Sequence, residues 1–507
     1  MRRYRNFLEL VRSFEGDSSP AFIFGDDKKC LTRGQLAEEI YREEASIRAL
    51  GPGNEFIVTD HTPGTIIRII AAVMAGCDIV LADEGMTDEN LMELVRLARP
   101  DRIFATDEEL RDLLTRTARD ADRSPAEAAD TESEPAEETA EGAATSLSEA
   151  PAKAEAPVKA AGTDALVHAS AGLYQLPISE PGEEGRLIFF TSGTTARSRA
   201  VVLTSRSFLA SSWSGQSMLP CGPGDIILCL LPLSHVFGFV CSLLWGLTYG
   251  AAVALGRGAR HMLDDCVHFK PTILPAVPSV AQFLMMRGAL NSELRVVLVG
   301  AAPLHESSVR MMRQMGIRVY LGYGLTETSS GIAITQDLDN PFDLYPCPEA
   351  DIRIEPDGEI SVSTPCLMEG YLDFGPDGGL KPVENGRFYT GDLALMDRQG
   401  ALHLTGRKKD ILVLPDGGKI FCPEYEAELA DLLGTSDLAL ILKNNRPVLA
   451  IGGTPQAAAN RLFALIESFN RTKPLAGHIT DILIMETPLP RTATGKIKHW
   501  EITDARR

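Results

Sequence analysis

Two kinds of hydrophobic pattern alternate along most of the chain. Short apolar runs, typical of buried strands, are followed by stretches in which apolar residues recur about every 3.6 positions, as in helices. The predicted strands are Glu55–Thr59, Asp78–Ala82, Leu187–Phe190, Ile226–Leu231, Ala251–Leu255, Thr272–Ala276, Val296–Val299 and Arg318–Leu321. The predicted helices are Ile66–Ala75, Asn90–Ala98, Val280–Met286 and Ser307–Met315. This alternation predicts an α/β protein with mainly parallel sheets, in which ligands bind beyond the carboxyl ends of the strands.

The pattern changes near Asp351. Side chains of alternating polarity flank the turn Pro356–Glu359, which predicts a β-hairpin, and a second hairpin is predicted around Asp397–Gly400. From Arg407 onward, strands and helices repeat as a compact unit of their own. The sequence therefore predicts an N-terminal domain over residues 1–406 and a C-terminal domain over residues 407–507.

Residues 119–162 consist mostly of Ala, Glu, Pro, Thr and Ser, with almost no large apolar side chains. Such a segment cannot bury enough surface to offset the entropy of ordering it, so we expect a disordered acidic insertion. An inert linker is the favoured interpretation of this insertion, and a partner-binding segment is the alternative. The uncharged stretch Val236–Leu255 is long enough to span a bilayer. Glycines interrupt the stretch, and its last residues, Gly250–Leu255, are typical of a buried strand that follows a buried helix. We therefore expect no stable membrane insertion.

Charge and cysteine content narrow the class of protein. The 507 residues include 49 Lys and Arg against 69 Asp and Glu, a formal net charge of −20. This charge repels phosphate backbones and anionic lipids, so we expect no nucleic-acid partner. The nine cysteines are scattered without a CxxC pair, and the N-terminal residues lack the apolar core of a signal peptide. These features predict a cytoplasmic protein with reduced thiols.

The strongest local signal for function is a hydroxyl-rich turn directly after the strand Leu187–Phe190. It reads Thr191-Ser-Gly-Thr-Thr195 and is followed by Arg197 and Arg199. Backbone N–H groups, hydroxyls and positive charge can together bind phosphate oxygens. The turn lacks the GxxxxGK[ST] pattern of a Walker A loop, and taken alone its composition is also that of an ordinary loop.

Further motifs follow in a fixed order. They are Leu231–Gly238, Lys270–Thr272 with Val277-Pro278, Val299–Leu304, Tyr323-Gly-Leu-Thr-Glu327, Gly358–Ile360 with Gly370-Tyr371, Tyr389-Thr-Gly-Asp392, Gly406-Arg-Lys-Lys-Asp410, Asp416–Ile420 with Pro423-Glu424, and Pro490-Arg-Thr-Ala-Thr-Gly-Lys496. Each alone also fits a surface turn or a solvated charge cluster. Together they resemble the acyl-adenylate-forming (AMP-binding) superfamily, and most of all its acyl-CoA synthetases, the fatty acid–CoA ligases. The resemblance covers nearly the whole chain outside the acidic insertion.

The resemblance implies a fold and an activity. The fold is a large N-terminal domain of two packed α/β subdomains plus a small β-subdomain, with a small mobile α+β C-terminal domain. The activity is ATP- and Mg²⁺-dependent conversion of a carboxylic acid, expected to be a fatty acid, into its acyl-AMP, followed by transfer to coenzyme A. An acyl carrier protein is an alternative acceptor. A non-catalytic nucleotide or acyl-adenylate binding protein is an alternative function.

The resemblance also implies roles for single residues. The nucleotide would be bound by Thr191, Ser192, Gly193, Thr194, Thr195, Arg199, Gly300, Ala301, Ala302, Tyr323, Asp392 and Arg407. Within that set, the hydroxyl-rich turn would hold phosphates, Tyr323 would stack on adenine, and Asp392 with Arg407 would bind ribose. The catalytic group would comprise Lys496, Glu327 as the Mg²⁺ ligand, Thr326 and the hinge residue Lys409.

His235, Val236 and Phe239 would border the acid substrate. Amino-acid-activating relatives carry an aspartate in this segment, and its absence here favours an apolar acid. A structural core histidine is the alternative reading of His235. The turn departs from the superfamily pattern TSGTTGxPKG, because Ala196 and Ala200 replace glycines, Ser198 replaces proline and Arg199 replaces lysine. An alanine at a position of positive φ would strain the turn.

Overall fold

The α/β fold predicted from the sequence is confirmed. The computed structural model describes residues 2–51, 53–122, 183–191, 199–302, 304–374, 378–414, 419–444, 446–453, 459–491, 497 and 502. Strands and helices alternate through most of these residues, and the predicted elements are present with ends shifted by a few positions.

The strands are β1 (Pro20–Phe24), β2 (Lys29–Thr32), β3 (Glu55–Thr59), β4 (Ile79–Asp83), β5 (Arg102–Phe104), β6 (Arg186–Phe190), β7 (Ala200–Thr204), β8 (Ile226–Cys229), β9 (Ala252–Leu255), β10 (Ile273–Ala276), β11 (Val296–Val299), β12 (Arg318–Leu325), β13 (Ser330–Thr335), β14 (Leu344–Pro346), β15 (Asp351–Ile354), β16 (Glu359–Ser363), β17 (Gly370–Leu372), β18 (Leu380–Pro382), β19 (Phe388–Met396), β20 (Leu402–Arg407), β21 (Ile411–Val413), β22 (Lys419–Phe421), β23 (Leu438–Lys443), β24 (Arg446–Ile451) and β25 (Asp481–Ile484).

The α-helices are α1 (Phe7–Arg12), α2 (Arg33–Ala49), α3 (Pro63–Met74), α4 (Asp88–Ala98), α5 (Glu108–Asp122), α6 (Ser205–Gln216), α7 (Trp245–Tyr249), α8 (Met262–Phe269), α9 (Pro278–Met286), α10 (Glu306–Gln314), α11 (Cys422–Leu433) and α12 (Ala459–Asn470). A π-helix spans Gly238–Leu244, and 3₁₀ turns span Ala259–His261, Thr326–Thr328, Glu384–Gly386, Lys408–Asp410 and Leu475–Gly477.

Two large sheets dominate the described part of the chain. The larger has the strand order β15-β16-β19-β20-β14-β13-β12-β11-β10-β8-β9-β1-β2, and the smaller has the order β18-β17-β7-β6-β4-β3-β5. Their central strands run parallel, from β9 to β12 in the larger sheet and from β5 to β6 in the smaller. Buried side chains of both sheets, such as Leu187 and Val296, belong to one hydrophobic core with α3.

The strands beyond β6 and β12, and β2 at the far edge of the larger sheet, run antiparallel to their neighbours, which corrects the expectation of mainly parallel sheets. The reversal occurs between β6 and β7 and again between β12 and β13. The first pair is joined by the segment 191–199 and the second by residues 326–329. Connections this short cannot carry the chain back to the start of a parallel strand, so each pair forms a hairpin.

Both hairpins predicted near Asp351 and Asp397 are confirmed. They are β15–β16 and β19–β20, and they lie in the antiparallel end of the larger sheet. Buried residues there, including Tyr323 and Ile360, form a separate hydrophobic cluster. Another cluster joins α11 and α12 to strands β22–β25. The predicted boundary at residue 406 falls in β20, one residue before that strand ends, and it stays a prediction.

Two predictions about unusual segments have different outcomes. The uncharged stretch forms the π-helix and α7 followed by β9, and the apolar residues of these three elements are buried. Among the residues that the structure describes, no helix combines the length and apolarity needed to cross a membrane. Helix α5 continues to Asp122, past the expected start of the disordered insertion at residue 119. That start was placed too early, because residues 119–122 continue the helix; residues 123–162 lie outside the described residues.

A buried ion-pair network joins the amino ends of β3 and β5. Glu55 is completely buried, and its two carboxylate oxygens accept hydrogen bonds from Arg68 at 2.9 Å and from Arg102 at 3.1 Å. Arg68 also donates to Glu43 at 2.6 Å. Buried charges are tolerated when each is paired in this way, and removal of one member leaves the others uncompensated.

We predict that Glu55→Ala destabilises the protein by about 3–5 kcal/mol, because two buried guanidinium groups lose their carboxylate. The measurement is the midpoint of urea unfolding followed by circular dichroism. Glu306→Ala is the matched control, since Glu306 forms an exposed pair with Arg310 at 3.0 Å and should cost less than about 1 kcal/mol. Equal costs for the two variants would show that the network does not stabilise the fold.

Candidate active site

Three of the predicted motifs include residues that directly follow central strands. Thr191 follows β6, Gly300 follows β11, and Thr326 begins the 3₁₀ turn after β12. The carboxyl ends of central strands are where α/β folds place their ligands. The strand order therefore brings motifs that are far apart in sequence to the same kind of position in the fold.

The hydroxyl-rich turn is held at both ends by backbone pairing. The Thr191 amide donates to the Arg199 carbonyl at 3.0 Å, and the Arg199 amide donates to Thr191 Oγ1 at 3.2 Å. Phe190 and Ala200 are partners in the β6–β7 register just below. The hairpin thus fixes the two residues between which the turn must close. Ser192, Gly193, Thr194, Thr195 and the neighbouring Ala196 lie outside the described residues.

Ala200, one of the two alanines that replace glycines, is not strained. It lies in β7, is buried, and is paired with Phe190 and Leu372. Its backbone is not among the described positive-φ positions. Because extended backbone accepts any side chain, the alanine fits here. The concern about strain therefore does not apply to Ala200.

A tyrosine joins the arginine of the turn to the carboxylate after β12. The Arg199 guanidinium lies over the Tyr371 ring, 5.0 Å from its centroid. The Tyr371 hydroxyl donates to Glu327 Oε1 at 2.7 Å. Burial, and then the negative charge of Glu327, raise the pKa of Tyr371, so its hydroxyl remains a donor at neutral pH. Arg199 and Glu327 are thereby brought to one place.

A second group joins Tyr323, Asp392 and Arg407. Asp392 is buried, accepts a hydrogen bond from the Tyr323 hydroxyl at 2.9 Å, and pairs with Arg407 Nε at 2.8 Å. Asp392 and Arg407 lie directly opposite each other in the β19–β20 register. Burial raises the pKa of Tyr323. Three residues expected at the adenosine end of ATP therefore lie together, whereas stacking of Tyr323 on adenine stays a prediction.

The turn that carries Thr326 and Glu327 is tightly constrained. The Thr328 hydroxyl donates to the Ser330 carbonyl at 2.8 Å and accepts from the Leu325 amide at 3.0 Å. A side chain at Gly324 would place its Cβ 1.8 Å from the Ser330 carbonyl oxygen. Only glycine lets the two strands approach so closely. Glu327 is half-buried in the middle of this constrained turn.

The three residues after β11 differ in exposure. Gly300 is buried, and a Cβ there would lie 3.1 Å from the Phe237 ring. Ala301 and Ala302 are exposed, and Ala301 has φ +70°. A left-handed alanine costs free energy that the surrounding structure must supply, and such residues cluster at functional sites. Two exposed alanines are in keeping with a surface for a flat ligand.

The segment around His235 is only partly as expected. His235 is accessible to solvent, yet packing around its ring desolvates the imidazole and lowers its pKa. Val236 is buried with 7% exposure. The Ser234 hydroxyl donates to Asp83 Oδ2 at 3.2 Å. A carboxylate thus reaches this segment from β4, which the sequence of the segment alone does not show.

Phe239 does not border an open pocket. It has no accessible surface and packs against the rings of Phe189 and Phe208, with centroids 5.9 and 5.0 Å away. This corrects its expected role at the acid substrate. The reason is packing on all sides, since Phe239 lies in a π-helix whose residues are all buried. Phe237, beside Gly300, is the partly exposed ring of this segment.

The residues expected from the C-terminal part are described only in part. Lys409 lies in the 3₁₀ turn Lys408–Asp410, directly after β20, but its side chain lies outside the described residues. Its neighbour Lys408 pairs with Asp357 at 2.7 Å and with Glu359 at 2.9 Å. Lys496 lies outside the described residues, so its position relative to the turn is a prediction.

Comparison with known proteins gives a family match over most of the chain. A family model described as "AMP-binding enzyme" matches residues 14–372. A 3-[(3aS,4S,7aS)-7a-methyl-1,5-dioxo-octahydro-1H-inden-4-yl]propanoyl:CoA ligase of Mycobacterium tuberculosis is 29% identical over 339 residues, which are 62% of this chain and 66% of that protein. A 2-succinylbenzoate–CoA ligase of Bacillus velezensis is 30% identical over 295 residues, 54% of this chain and 59% of that protein.

A long-chain-fatty-acid–CoA ligase, FadD15 of Mycobacterium bovis, is 27% identical over 324 residues, 52% of this chain and 53% of that protein. The chain thus spans between about half and two thirds of the curated relatives it matches. Among solved structures, the o-succinylbenzoate CoA synthetase MenE of Bacillus subtilis with its acyl-adenylate intermediate has a TM-score of 0.71 at 18% identity, covering 100% of this chain and 99% of that one. At this identity the likeness shows the fold.

We predict that Gly324→Ala destabilises the protein by about 1–3 kcal/mol, because the new methyl group overlaps the Ser330 carbonyl and forces the backbone to shift. The measurement is thermal unfolding by differential scanning calorimetry. Gly222→Ala is the matched control, since a Cβ there meets nothing within 4 Å, and it should be neutral or slightly stabilising. An unchanged melting temperature for Gly324→Ala would contradict the constraint on the turn.

Proposed function

The chain belongs to the AMP-binding enzyme family, and from this premise we propose that it is an ATP-dependent acid–thiol ligase. In the first half-reaction a carboxylate oxygen of the substrate bonds to the α-phosphorus of ATP, the bond to pyrophosphate breaks, and an acyl-AMP forms. In the second, a thiol sulfur bonds to the acyl carbon and AMP leaves. Charge accumulates on the phosphates, so positioning and fixed positive charge would supply most of the catalysis.

The observation that carries the proposal is the contact chain Arg199–Tyr371–Glu327. It brings a cation at the base of the hydroxyl-rich turn to a carboxylate on the turn after β12. A triphosphate with Mg²⁺ needs this combination, since the cation neutralises phosphate oxygens and the carboxylate binds the ion. The Thr191–Thr195 turn would supply hydroxyl and backbone donors to the same phosphates.

Glu327 is suited to bind Mg²⁺. Its Oε1 accepts the Tyr371 hydroxyl, and a carboxylate has a second oxygen for an ion. Among the described residues no group of three or more His, Cys, Asp or Glu side chains could hold a metal ion. Mg²⁺ is commonly bound by one or two carboxylates plus substrate phosphates, and a single carboxylate suits that arrangement. Mg²⁺ would supply charge neutralisation at the phosphates. A B. subtilis MenE structure, 17% identical with a TM-score of 0.70 and covering 99% of each chain, contains ATP and a magnesium ion.

The adenosine would occupy the surface formed by Ala301, Ala302 and the Tyr323–Asp392–Arg407 group. Asp392 and Arg407 offer an acceptor and donors suited to the two ribose hydroxyls. Both are held by the β19–β20 pairing, and Asp392 also accepts the Tyr323 hydroxyl. A preorganised pair of this kind binds a ligand without first having to order its own side chains.

Two lysines of the C-terminal part, Lys409 and Lys496, also have proposed roles. We propose that Lys496 bridges the substrate carboxylate and the α-phosphate, and that rotation about Lys409 withdraws it between the two half-reactions. Lys408, held by Asp357 and Glu359, would keep the residue before the hinge attached to the N-terminal part. A domain rotation would then begin after Lys408. Such gating separates steps that need different groups at one site.

For the acid we propose a carboxylic acid with an apolar body. The relatives are named for a polycyclic acid, an aromatic acid and long-chain fatty acids, so a fatty acid is one of three classes. Phe237 beside Gly300 would border the acid, with accessible His235 at its entrance. For the acceptor we propose coenzyme A, because these relatives are named CoA ligases; a carrier protein is the second candidate.

The experiment that tests the function is ATP–pyrophosphate exchange across fatty, aromatic, polycyclic and amino acids, with and without Mg²⁺. We expect Mg²⁺-dependent exchange with one of the apolar classes, followed by thioester formation with coenzyme A. ATP binding without exchange for any acid would favour the non-catalytic alternative. Exchange with amino acids alone would contradict the proposed acid class.

We predict that Lys496→Ala lowers the exchange rate about 10²–10³-fold, by analogy with the loss of one preorganised donor to transition-state charge. Lys381→Ala is the control, since Lys381 is an exposed lysine paired with Asp373 at 2.8 Å, and it should leave the rate unchanged. A Lys496→Ala variant that exchanges at the wild-type rate would overturn the lysine's role.

A further inference from the structure

We propose that Tyr371 is a positioning residue that couples the cation of the phosphate-binding turn to the carboxylate of the metal site. The inference rests on the proposed function and deepens it. It concerns how two charged side chains from different strands are held at a set separation before ATP and Mg²⁺ arrive. Tyr371 would contact neither ligand and would act through Arg199 and Glu327.

The position of Tyr371 follows from sheet pairing. It is the central residue of β17, which pairs with β7 on one side and β18 on the other. Tyr371 lies opposite Val201, and Leu372 lies opposite Ala200, so the tyrosine is beside the strand that leaves the hydroxyl-rich turn. A Cβ at Gly370 would lie 2.1 Å from the Lys381 carbonyl. Glycine there lets β18 approach closely and seats β17 against β7.

The ring of Tyr371 gives Arg199 a defined place. The guanidinium carbon lies 5.0 Å from the ring centroid, within the range of a cation–π contact. A planar guanidinium stacks on an aromatic face, whereas an ammonium is a strongly hydrated point charge. Arg199 is exposed, so without the ring its long side chain would sample many rotamers. The ring therefore explains how an arginine works at this position of the turn.

The hydroxyl of Tyr371 gives Glu327 a defined orientation. It donates to Oε1 at 2.7 Å, which is a short hydrogen bond to a charged acceptor. This bond engages one carboxylate oxygen, and the second oxygen would be the one that binds the ion. Glu327 is half-buried on a turn fixed by Thr328, so backbone and side chain are both constrained. One side chain thus holds a cation by its ring and an anion by its hydroxyl.

Two substitutions separate these contacts. Tyr371→Phe keeps the ring under Arg199 and removes only the hydroxyl. Tyr371→Leu removes both contacts. Tyr41→Phe is the matched control, because the Tyr41 hydroxyl donates to Glu15 at the same distance of 2.7 Å and belongs to α2. Melting temperatures of the ligand-free variants report folding, and if Tyr371→Leu fails to fold, Tyr371→Phe decides alone.

The measurement is ATP binding by isothermal titration calorimetry, with Mg²⁺ and with EDTA. For Tyr371→Phe we expect the Mg²⁺-dependent gain in ATP affinity to fall about tenfold, as for loss of a hydrogen bond to a charged group, with affinity in EDTA within twofold of wild type. For Tyr371→Leu we expect affinity in EDTA to fall about two- to fivefold as well, from loss of the cation–π contact. Tyr41→Phe should match wild type in both conditions.

The outcomes distinguish this inference from the function on which it rests. Wild-type protein that binds no ATP overturns the proposed function, and the inference with it. Wild-type protein that binds ATP, with Tyr371→Phe equal to Tyr41→Phe in Mg²⁺ and in EDTA, overturns the positioning role alone. An equal loss for Tyr371→Phe in both conditions would also overturn it, since a general structural defect would not depend on the metal ion.

Discussion

The arrangement of the candidate site depends on one buried carboxylate. Asp392 is 5% exposed, and a charge so placed is tolerated only with matched partners. It receives the Tyr323 hydroxyl from β12 and pairs with Arg407 of β20. Strand β12 runs into the turn of Glu327, and β20 runs into the turn of Lys408. A single ion therefore holds together the strands from which the proposed metal ligand and the proposed hinge both start.

The fold could be predicted from the sequence where the signal is local. Strands such as Glu55–Thr59 are continuous apolar runs, and the β15–β16 hairpin carries its turn residues in its own sequence. The direction of neighbouring strands is not a local signal, because it depends on whether the connection between them is long enough for a parallel crossover. The reversals after Phe190 and Leu325 follow from short connections, which the apolar pattern does not encode. Phe239 was misplaced for a different reason, because every residue of the π-helix that contains it is buried, and the apolar pattern does not show which of them borders a ligand.

The candidate site could be predicted to the extent that its residues belong to continuous motifs. Asp392 and Arg407 were expected at one ligand, and their direct pairing across β19–β20 is what such a role requires. Asp83 and Tyr371 were given no role in the site. Each belongs to a strand whose own sequence does not show which distant segment it will contact. Tyr371 is placed by the pairing of β17 with β7, which joins segments far apart in the chain, and no single motif reveals such a contact.

The departures of the phosphate-binding turn from the superfamily pattern are compatible with a working site, for separate physical reasons. Ala200 lies in extended strand backbone, where glycine offers no advantage and costs conformational entropy. Arg199 replaces the compact ammonium of a lysine with a planar guanidinium. Without a neighbouring group to hold it, this long side chain would have no fixed position. Here the Tyr371 ring lies beneath the Arg199 guanidinium, and the Tyr371 hydroxyl donates a hydrogen bond to Glu327. The arginine is therefore held in a defined position, and both departures leave phosphate binding by the turn physically possible.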